Sequence, residues 1–426
     1  MAKKKNIQQS VPLVAIDMGS SGVRAMAAEL TTDGQLQILG VEQSNKFECI
    51  ERGMVTNTSD AGFMIGEVLR KLSNRVGVDA LPSAFVCVGG RTMQLAAVSC
   101  HRDQVRKKEI ERTLLDSMEA ECKYKVEKNY PDAAVLDVIP YYFTLDGKDQ
   151  DEEPTSDQKA TIVAGNYIVF VGKKELEQKV IDSFNRSAKH LEHIFVRPDA
   201  LMNIIATDDD MRNGCAVLDL GAQTTTLTVY KGNQYLYNKV IPMGGYDITR
   251  DIEQVGISFA YAEQLKCKYG VASADMIQTN HRFRIPSPTQ VGGEVALMAS
   301  ELADIISSRL EQIVHPLLEV LNKEANRYQV LYVTGGGAML QGIVEYLQAR
   351  TTVPVEYGSH AVWLTSDAAD EMYMPTYTAL VGTLLLGANY RKEHPIALSN
   401  NKGRLIDEIT NALTKKTLEI FTDQNY

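Results

Sequence analysis

With 426 residues, 44% of them hydrophobic and 23% charged, the chain is long enough for two well-buried domains and has an ordinary globular composition. A formal net charge of -10 speaks against generic nucleic-acid binding, which asks for a positive surface. Six cysteines without a C-x-x-C pair give no zinc spacing and suit a reducing cytoplasm, and no apolar run reaches the roughly 20 residues of a membrane-crossing helix.

Residues 3–5 are basic but 6–10 are polar, so no secretory signal is read at the start. Residues 14–16 form a short apolar strand, and 23–30 return as its hairpin partner. The turn between them reads IDMGSSGVRA over 16–25. Gly19 lets the backbone turn tightly and approach a ligand. Ser20 and Ser21 offer the hydroxyl and N–H donors a phosphate needs. Asp17 ends the strand beside that phosphate, where it is expected to hold Mg²⁺, through water because Mg²⁺ sheds its waters reluctantly.

Further along, 61–76 reads as a helix and 84–88 as a strand, followed by Gly89 and Gly90. The texture changes over 91–169. Strand-like pieces at 94–99, 135–140 and 162–168 flank a charged helix at 107–123, with an acidic loop at 146–158, which together suggest a small inserted subdomain. A helix is expected at 173–189. His190 and His193, three apart, would share a helix face; with no third ligand in register they read as surface or capping histidines.

A second turn, VLDLGAQTTTLTV over 217–229, repeats the first plan with Asp219, Gly221, Thr224 and Thr225. Either copy alone could be a plain glycine hairpin. Two copies about 200 residues apart, in the same internal order, predict two similar half-domains facing one nucleotide. A strand at 234–241 then runs into Met243, Gly244 and Gly245. Helices are expected at 246–255 and 258–269, the second carrying Glu263 and Lys266, which would also suit a surface ion pair. Asp247 and Asp251 share the first of these helices and read as capping or solvated residues. A long helix is expected over 294–325, broken at Pro316.

The third glycine-rich turn is VLYVTGGGAML over 330–340. Strand 330–333, turn 334–337 and helix 338–349 make a cradle for a base, a ribose or a phosphate. The G-x-G-x-x-G pattern is absent, so this is a poor Rossmann site. A helix at 379–392 is expected to pack on the first domain. After a polar linker at 395–401, residues 403–421 carry Leu405, Ile409, Leu413 and Ile420 as an apolar helical stripe, with Ile406 and Phe421 beside it. Lys402, Arg404, Lys415 and Lys416 are offset by Asp407, Glu408, Glu419 and Asp423, so membrane-surface binding and docking on protein both remain open.

These turns resemble those of the actin-like ATPase superfamily, and the match extends over nearly the whole chain to the FtsA family of bacterial cell-division proteins. VAIDMGSSGVRA is similar to that family's first phosphate turn, and Asp219 through Gly245 to its second turn and following strand. AEQLK at 262–266 is similar to its nucleotide-contacting helix, and Thr334 to Gly337 to its adenosine turn. The resemblance implies an α/β, actin-like (ribonuclease H-like) two-lobed fold with an inserted small α/β subdomain and a C-terminal amphipathic helix. It divides the chain into a first-lobe core (1–90), the insertion (91–169), a return to the first lobe (170–205), a second lobe (206–358), another return (359–394), and linker plus tail (395–426).

By the same resemblance, Gly19, Ser20, Ser21, Gly221, Thr224, Thr225, Gly244 and Gly245 face phosphate, and Asp17 and Asp219 face Mg²⁺. Glu263 and Lys266 approach ribose and base, with Gly335, Gly336 and Gly337 opposite. ATP, self-association into filaments, FtsZ and later division proteins are the implied cofactor and partners. The tail residues Leu405, Ile406, Ile409, Leu413, Ile420 and Phe421 would meet lipid at the cytoplasmic face of the membrane. Four positions depart from the family pattern. Ala222 and Gln223 stand where two glycines are usual, and Gly22 stands where lysine is common. Arg197 stands where related ATPases carry an acidic residue or glutamine that orients the attacking water, so hydrolysis is expected to be weak or absent. A small-molecule kinase on the same fold, or an actin-like scaffold of another envelope machine such as pilus assembly, are the alternatives.

Overall fold

The computed structural model describes residues 11–44, 49–150, 153–232, 234–286, 293–323 and 327–394. Two five-stranded sheets carry the fold, and they have the same topology. The first runs His190–Val196, Ser83–Val88, Leu13–Gly19, Gly22–Leu30, Leu36–Gln43. The second runs Val355–Tyr357, Val330–Thr334, Cys215–Leu220, Thr225–Lys231, Gln234–Ile241. In each, a three-strand antiparallel meander is extended by two parallel strands. The central strands, LVAIDMG and CAVLDL, are buried almost throughout, as near-continuous apolar runs must be when both sheet faces are covered. Met1–Gly387 forms one compact unit and Ala388–Tyr426 another; of the second only 388–394 is described.

Helices cover these sheets for local reasons. Thr58–Val76 starts at Asn57, whose side chain accepts from the backbone N–H of Ser59 and Asp60, and ends at left-handed Gly77. Its apolar face (Met64, Ile65, Val68, Leu69, Leu72) is part of the first-sheet core. Ala299–Lys323 places Leu302, Ile306, Leu310, Ile313, Leu317 and Leu321 in the second-sheet core. Helix Thr378–Glu393 seats Gly382 so closely that an added Cβ would lie 2.0 Å from the carbonyl oxygen of Ala200.

Five expectations need correction. The long helix does not begin at 294: Glu294–Met298 is a strand paired with Arg282–Pro286, and the alternation of Val295 and Leu297 with exposed Glu294 and Ala296 gives the reason. Nor does Pro316 break it, because burial of the surrounding apolar stripe outweighs one lost backbone bond. The charged helix lies at Arg112–Asn129, since Lys107–Glu109 instead extend strand Gln94–Glu109, where Lys108 and Glu109 pair with Ala160 and Lys159. His190 and His193 lie on strand His190–Val196, alongside Ser83–Val88. The helix expected over 338–349 is also shorter: a single 3₁₀ turn, Gly336–Met339, is followed by left-handed Gly342 and helix Ile343–Gln348.

Between the first-sheet strands the chain builds a separate four-stranded sheet, ordered Gln94–Glu109, Lys159–Lys173, Ala133–Leu145, Lys148–Gln150. Helix Arg112–Asn129 packs on it through Leu115, Met118 and Cys122, against Phe143, Val163 and Tyr167. No helix among the described residues is long and apolar enough to cross a membrane. The tail residues Leu405, Ile406, Ile409, Leu413, Ile420 and Phe421 lie outside the described residues.

Candidate nucleotide cleft

The topology fixes where the chemistry converges. Asp17 sits near the end of the central strand of the first sheet and Asp219 near the end of its counterpart, each followed by one apolar residue and a glycine. Both are buried, at 5% exposure. The two turns bound a cavity of about 360 Å³, large enough for a small ligand. Gly19, Ser20 and Ser21 line it from the first turn; Gly221, Thr224 and Thr225 line it from the second. Gly244, Gly245, Glu263, Lys266, Gly336 and Gly337 complete the wall. Gly335 does not line it. Its φ is +83°, and a Cβ there would lie 2.3 Å from Asp219 Oδ1, so glycine is what lets the third turn pass beneath the second.

Each turn is braced by its neighbourhood. Ser20 Oγ accepts from the Gly53 N–H at 3.3 Å, and Ser21 Oγ accepts from Arg24 Nη2 at 3.3 Å. In the second turn Gly221 N–H donates to the Thr224 carbonyl at 2.9 Å. The Gly221 and Ala222 carbonyls accept from Gly245 and Tyr246 N–H, at 2.9 and 2.7 Å, at the start of helix Gly245–Glu253. Gln223 Oε1 reaches back to accept from the Arg52 N–H at 2.8 Å.

On the opposite wall Lys266 is nearly buried and uses all its donors. Its Nζ donates to the Gly245 carbonyl at 2.7 Å, Thr249 Oγ1 at 2.7 Å and Glu263 Oε2 at 2.8 Å. Burial pushes the Glu263 carboxyl up, but Lys266 and the Thr249 and Cys267 hydrogen bonds more than offset this and hold it below the usual range. The pair is therefore both a helix-to-helix tie and part of the cavity wall. Leu310, Ile313 and Leu340 add an apolar patch beside it, a surface suited to a flat ring. Asp247 caps its own helix by accepting from the Gly244 N–H at 2.8 Å, and Asp251 pairs with Arg309 at 2.6 Å.

The centre of the cleft is Arg197, the first residue of helix Arg197–Ile205. Its Nη1 donates to Asp17 Oδ1 at 2.8 Å and its Nε to Asp219 Oδ2 at 2.6 Å. The side chain is 19% exposed and each carboxylate 7%. Burial alone would pull the guanidinium down, but Asp17 and Asp219 hold it well above its ordinary value. Gly89 makes the path, because a Cβ there would press on Arg197 Cδ at 3.1 Å and Cβ at 3.2 Å. Cys87, behind the pair, is inert: burial first, then Asp17, pushes its thiol up to about 12.

This arrangement does not suit the Mg²⁺ expected at Asp17 and Asp219. Asp219 Oδ2 accepts from Arg197, while Oδ1 is buried beside Gly335 without a hydrogen-bond partner among the described residues. Asp17 Oδ1 is taken as well. With the Arg197 guanidinium bonded to both carboxylates, a fixed positive charge already stands where the cation was expected, a poor setting for Mg²⁺ even when it is held through water. Among the described residues no group of three or more His, Cys, Asp or Glu is placed to hold a metal.

Sequence reasoning found the turns but missed Arg24 as a cavity residue, the double reach of Arg197 and the cross-turn bond of Gln223. Arg24 had a signal: it lies two residues after Gly22 on the same strand and so on the same face, returning the positive charge that Gly22 omits.

The family profile described as "Cell division protein FtsA" matches residues 216–382. Proteins named cell division protein FtsA are 28% identical in Enterococcus faecalis, over 79% of this chain and 76% of the relative, and 24% identical in Pseudomonas aeruginosa, over 90% of each. The Porphyromonas gingivalis FtsA is 26% identical over 77% of this chain and 67% of the relative. The chain is thus similar to FtsA over most of its length. Its fold is that of the actin-like ATPases. A PilM–PilN type IV pilus biogenesis complex chain superposes with a TM-score of 0.64 at 16% identity, covering 88% of this chain and 98% of that one. MreB5 of Spiroplasma citri, solved with ADP and with AMPPNP, superposes at 0.52 with 13% identity, over 91% of this chain and 99% of that one in the ADP form.

Proposed function

We propose that this chain is an ATP-binding, actin-like cell-division protein. It assembles with copies of itself, links FtsZ filaments to the cytoplasmic face of the membrane through its terminal segment, and gathers later division proteins there. The observation that carries this reading is the convergence of two matched Asp-x-Gly turns on one cavity, with a third glycine turn beside it. The FtsA resemblance supplies the division role, and the nucleotides held by MreB5 support a nucleotide in the cleft.

Hydrolysis is weak or absent in this reading. A guanidinium only donates hydrogen bonds, so Arg197 cannot accept a proton from an attacking water. The carboxylates lining the cavity are each tied to a cation, Asp17 and Asp219 to Arg197 and Glu263 to Lys266, which also disfavours a kinase needing a free base.

The test joins binding to capture. The full chain should bind a fluorescent ATP analogue, be retained by an immobilised FtsZ C-terminal peptide, and sediment with vesicles of anionic lipid. Deleting 403–426 should abolish only the last. Leu405→Glu with Ile409→Glu should do the same, since each buried apolar side chain is worth roughly 1.5–3 kcal/mol of transfer. Retention on the vesicles after the deletion would exclude the tail as anchor, and no capture by the peptide would favour a scaffold of another machine.

A further inference from the structure

Resting on that nucleotide reading, we propose that Arg197 takes the place of the divalent cation: the cleft binds the phosphates of its nucleotide through a built-in guanidinium and needs no Mg²⁺. Arg197 lies between the two carboxylates expected to face a metal, bonded to both. Among the described residues Arg197 makes two hydrogen bonds, from Nε and from Nη1, so three of its five N–H groups, both on Nη2 among them, remain for a ligand that enters the cavity it lines. Guanidinium binds phosphate through a fixed planar fork, which makes it a competent substitute where a metal has no room.

Three features support the substitution as built rather than incidental. Gly89 clears the way for the side chain, and any Cβ there would crowd it. Asp219 Oδ1 is buried beside Gly335, and its Oδ2 already accepts from Arg197. Arg24 stands on the same cavity wall as the first turn, so a second fixed positive charge faces a ligand's phosphates. The carboxylates then act as positioning residues that hold the guanidinium.

The experiment titrates the full chain with a fluorescent ATP analogue in excess EDTA and in millimolar Mg²⁺. The two dissociation constants should agree within about twofold, and a gain of about tenfold or more on adding Mg²⁺ would overturn the proposal. Absence of binding in both conditions would remove the nucleotide reading and this inference with it, an outcome distinct from metal-dependent binding. In Arg197→Gln the carboxylates are freed, so binding should become Mg²⁺-dependent. Mg²⁺ without nucleotide should then raise the melting temperature of the variant but not of the parent. A variant that is merely less stable, with unchanged metal response, would reduce Arg197 to a structural tie and sink the idea. Should Arg197→Gln fail to fold, the parent titration still decides, and Arg197→Lys, which keeps the charge but loses the fork, should bind more weakly and still without metal.

Discussion

The two phosphate-type turns are equal in length and alike in topology, yet they differ in how they close. The first, Gly19 to Gly22, pairs glycine with glycine and presents two serine hydroxyls. The second, Gly221 to Thr224, is fastened by its own carbonyls to the start of helix Gly245–Glu253, and sends Gln223 across to the Arg52 backbone. A shared sheet topology therefore fixes where the aspartates meet, while the turn residues decide which side carries the latch. The first turn is open to a ligand, and the second is committed to holding the molecule together.

Alanine at the two leading glycines should expose that difference most strongly. A Cβ on Gly221 would lie 2.7 Å from the Thr224 carbonyl oxygen that its own N–H bonds, whereas a Cβ on Gly19 meets nothing closer than 3.6 Å. Gly221→Ala should cost about 2 kcal/mol of unfolding free energy through overpacking. Gly19→Ala should change stability by less than about 0.5 kcal/mol, its effect falling on ligand affinity. Denaturant unfolding of both variants checks this, and equal losses would mean the turns are braced alike.

Gln223 tests the latch itself. Gln223→Ala leaves the part-buried Arg52 N–H without its acceptor and should cost about 1.5 kcal/mol. Ser20→Ala, which removes only the longer 3.3 Å contact to Gly53, should cost about 0.5 kcal/mol. Hydrogen exchange should rise around Arg52 in the first variant and not in the second. Similar exchange in both would show that the Gln223 contact does not hold the second turn to Arg52.

Much of this was legible because it is local. Asp-x-Gly flanked by apolar runs is a pattern within one hairpin, and both copies can be read directly. The Arg197 clasp is not local: its partners are 22 and 180 residues away, and no periodicity links them. The sequence marked Arg197 as out of pattern, but a reading that treats Asp17 and Asp219 as free carboxylates has no means to see a long side chain arriving from a third element. Gln223 was hidden for the same reason, 171 residues from the backbone it holds. The strand Glu294–Met298 was masked differently, since five residues of alternation precede a strong helical stripe and are absorbed into it.

A last contrast sets the inserted sheet against the lobes, and it concerns pH. Asp137, on strand Ala133–Leu145, stands near Asp199 of helix Arg197–Ile205. Burial first, then the charge of Asp199, pushes the Asp137 carboxyl up to about 7, against the pull of the Val138 N–H; Glu119 adds a further negative charge. Burial also raises Asp199, although Tyr235 and Asn203 donate to it at 2.6 and 3.0 Å. The Asp17–Arg197–Asp219 group contains its own counter-charge, whereas among the described residues this carboxylate pair is met by hydrogen-bond donors and by no cation. With an unfolded carboxyl near 3.9, the folded chain holds a proton that the unfolded chain has lost between about pH 4 and pH 7. Stability from this group is therefore fullest below that window, falls as pH rises through it, and is level above about 7. By that linkage the loss between pH 5 and pH 8 should be on the order of 2 kcal/mol. Asp137→Asn should flatten it, as followed by denaturant midpoints at the two pH values. An unchanged slope in the variant would place the titration elsewhere and leave the joint between inserted sheet and lobe indifferent to pH.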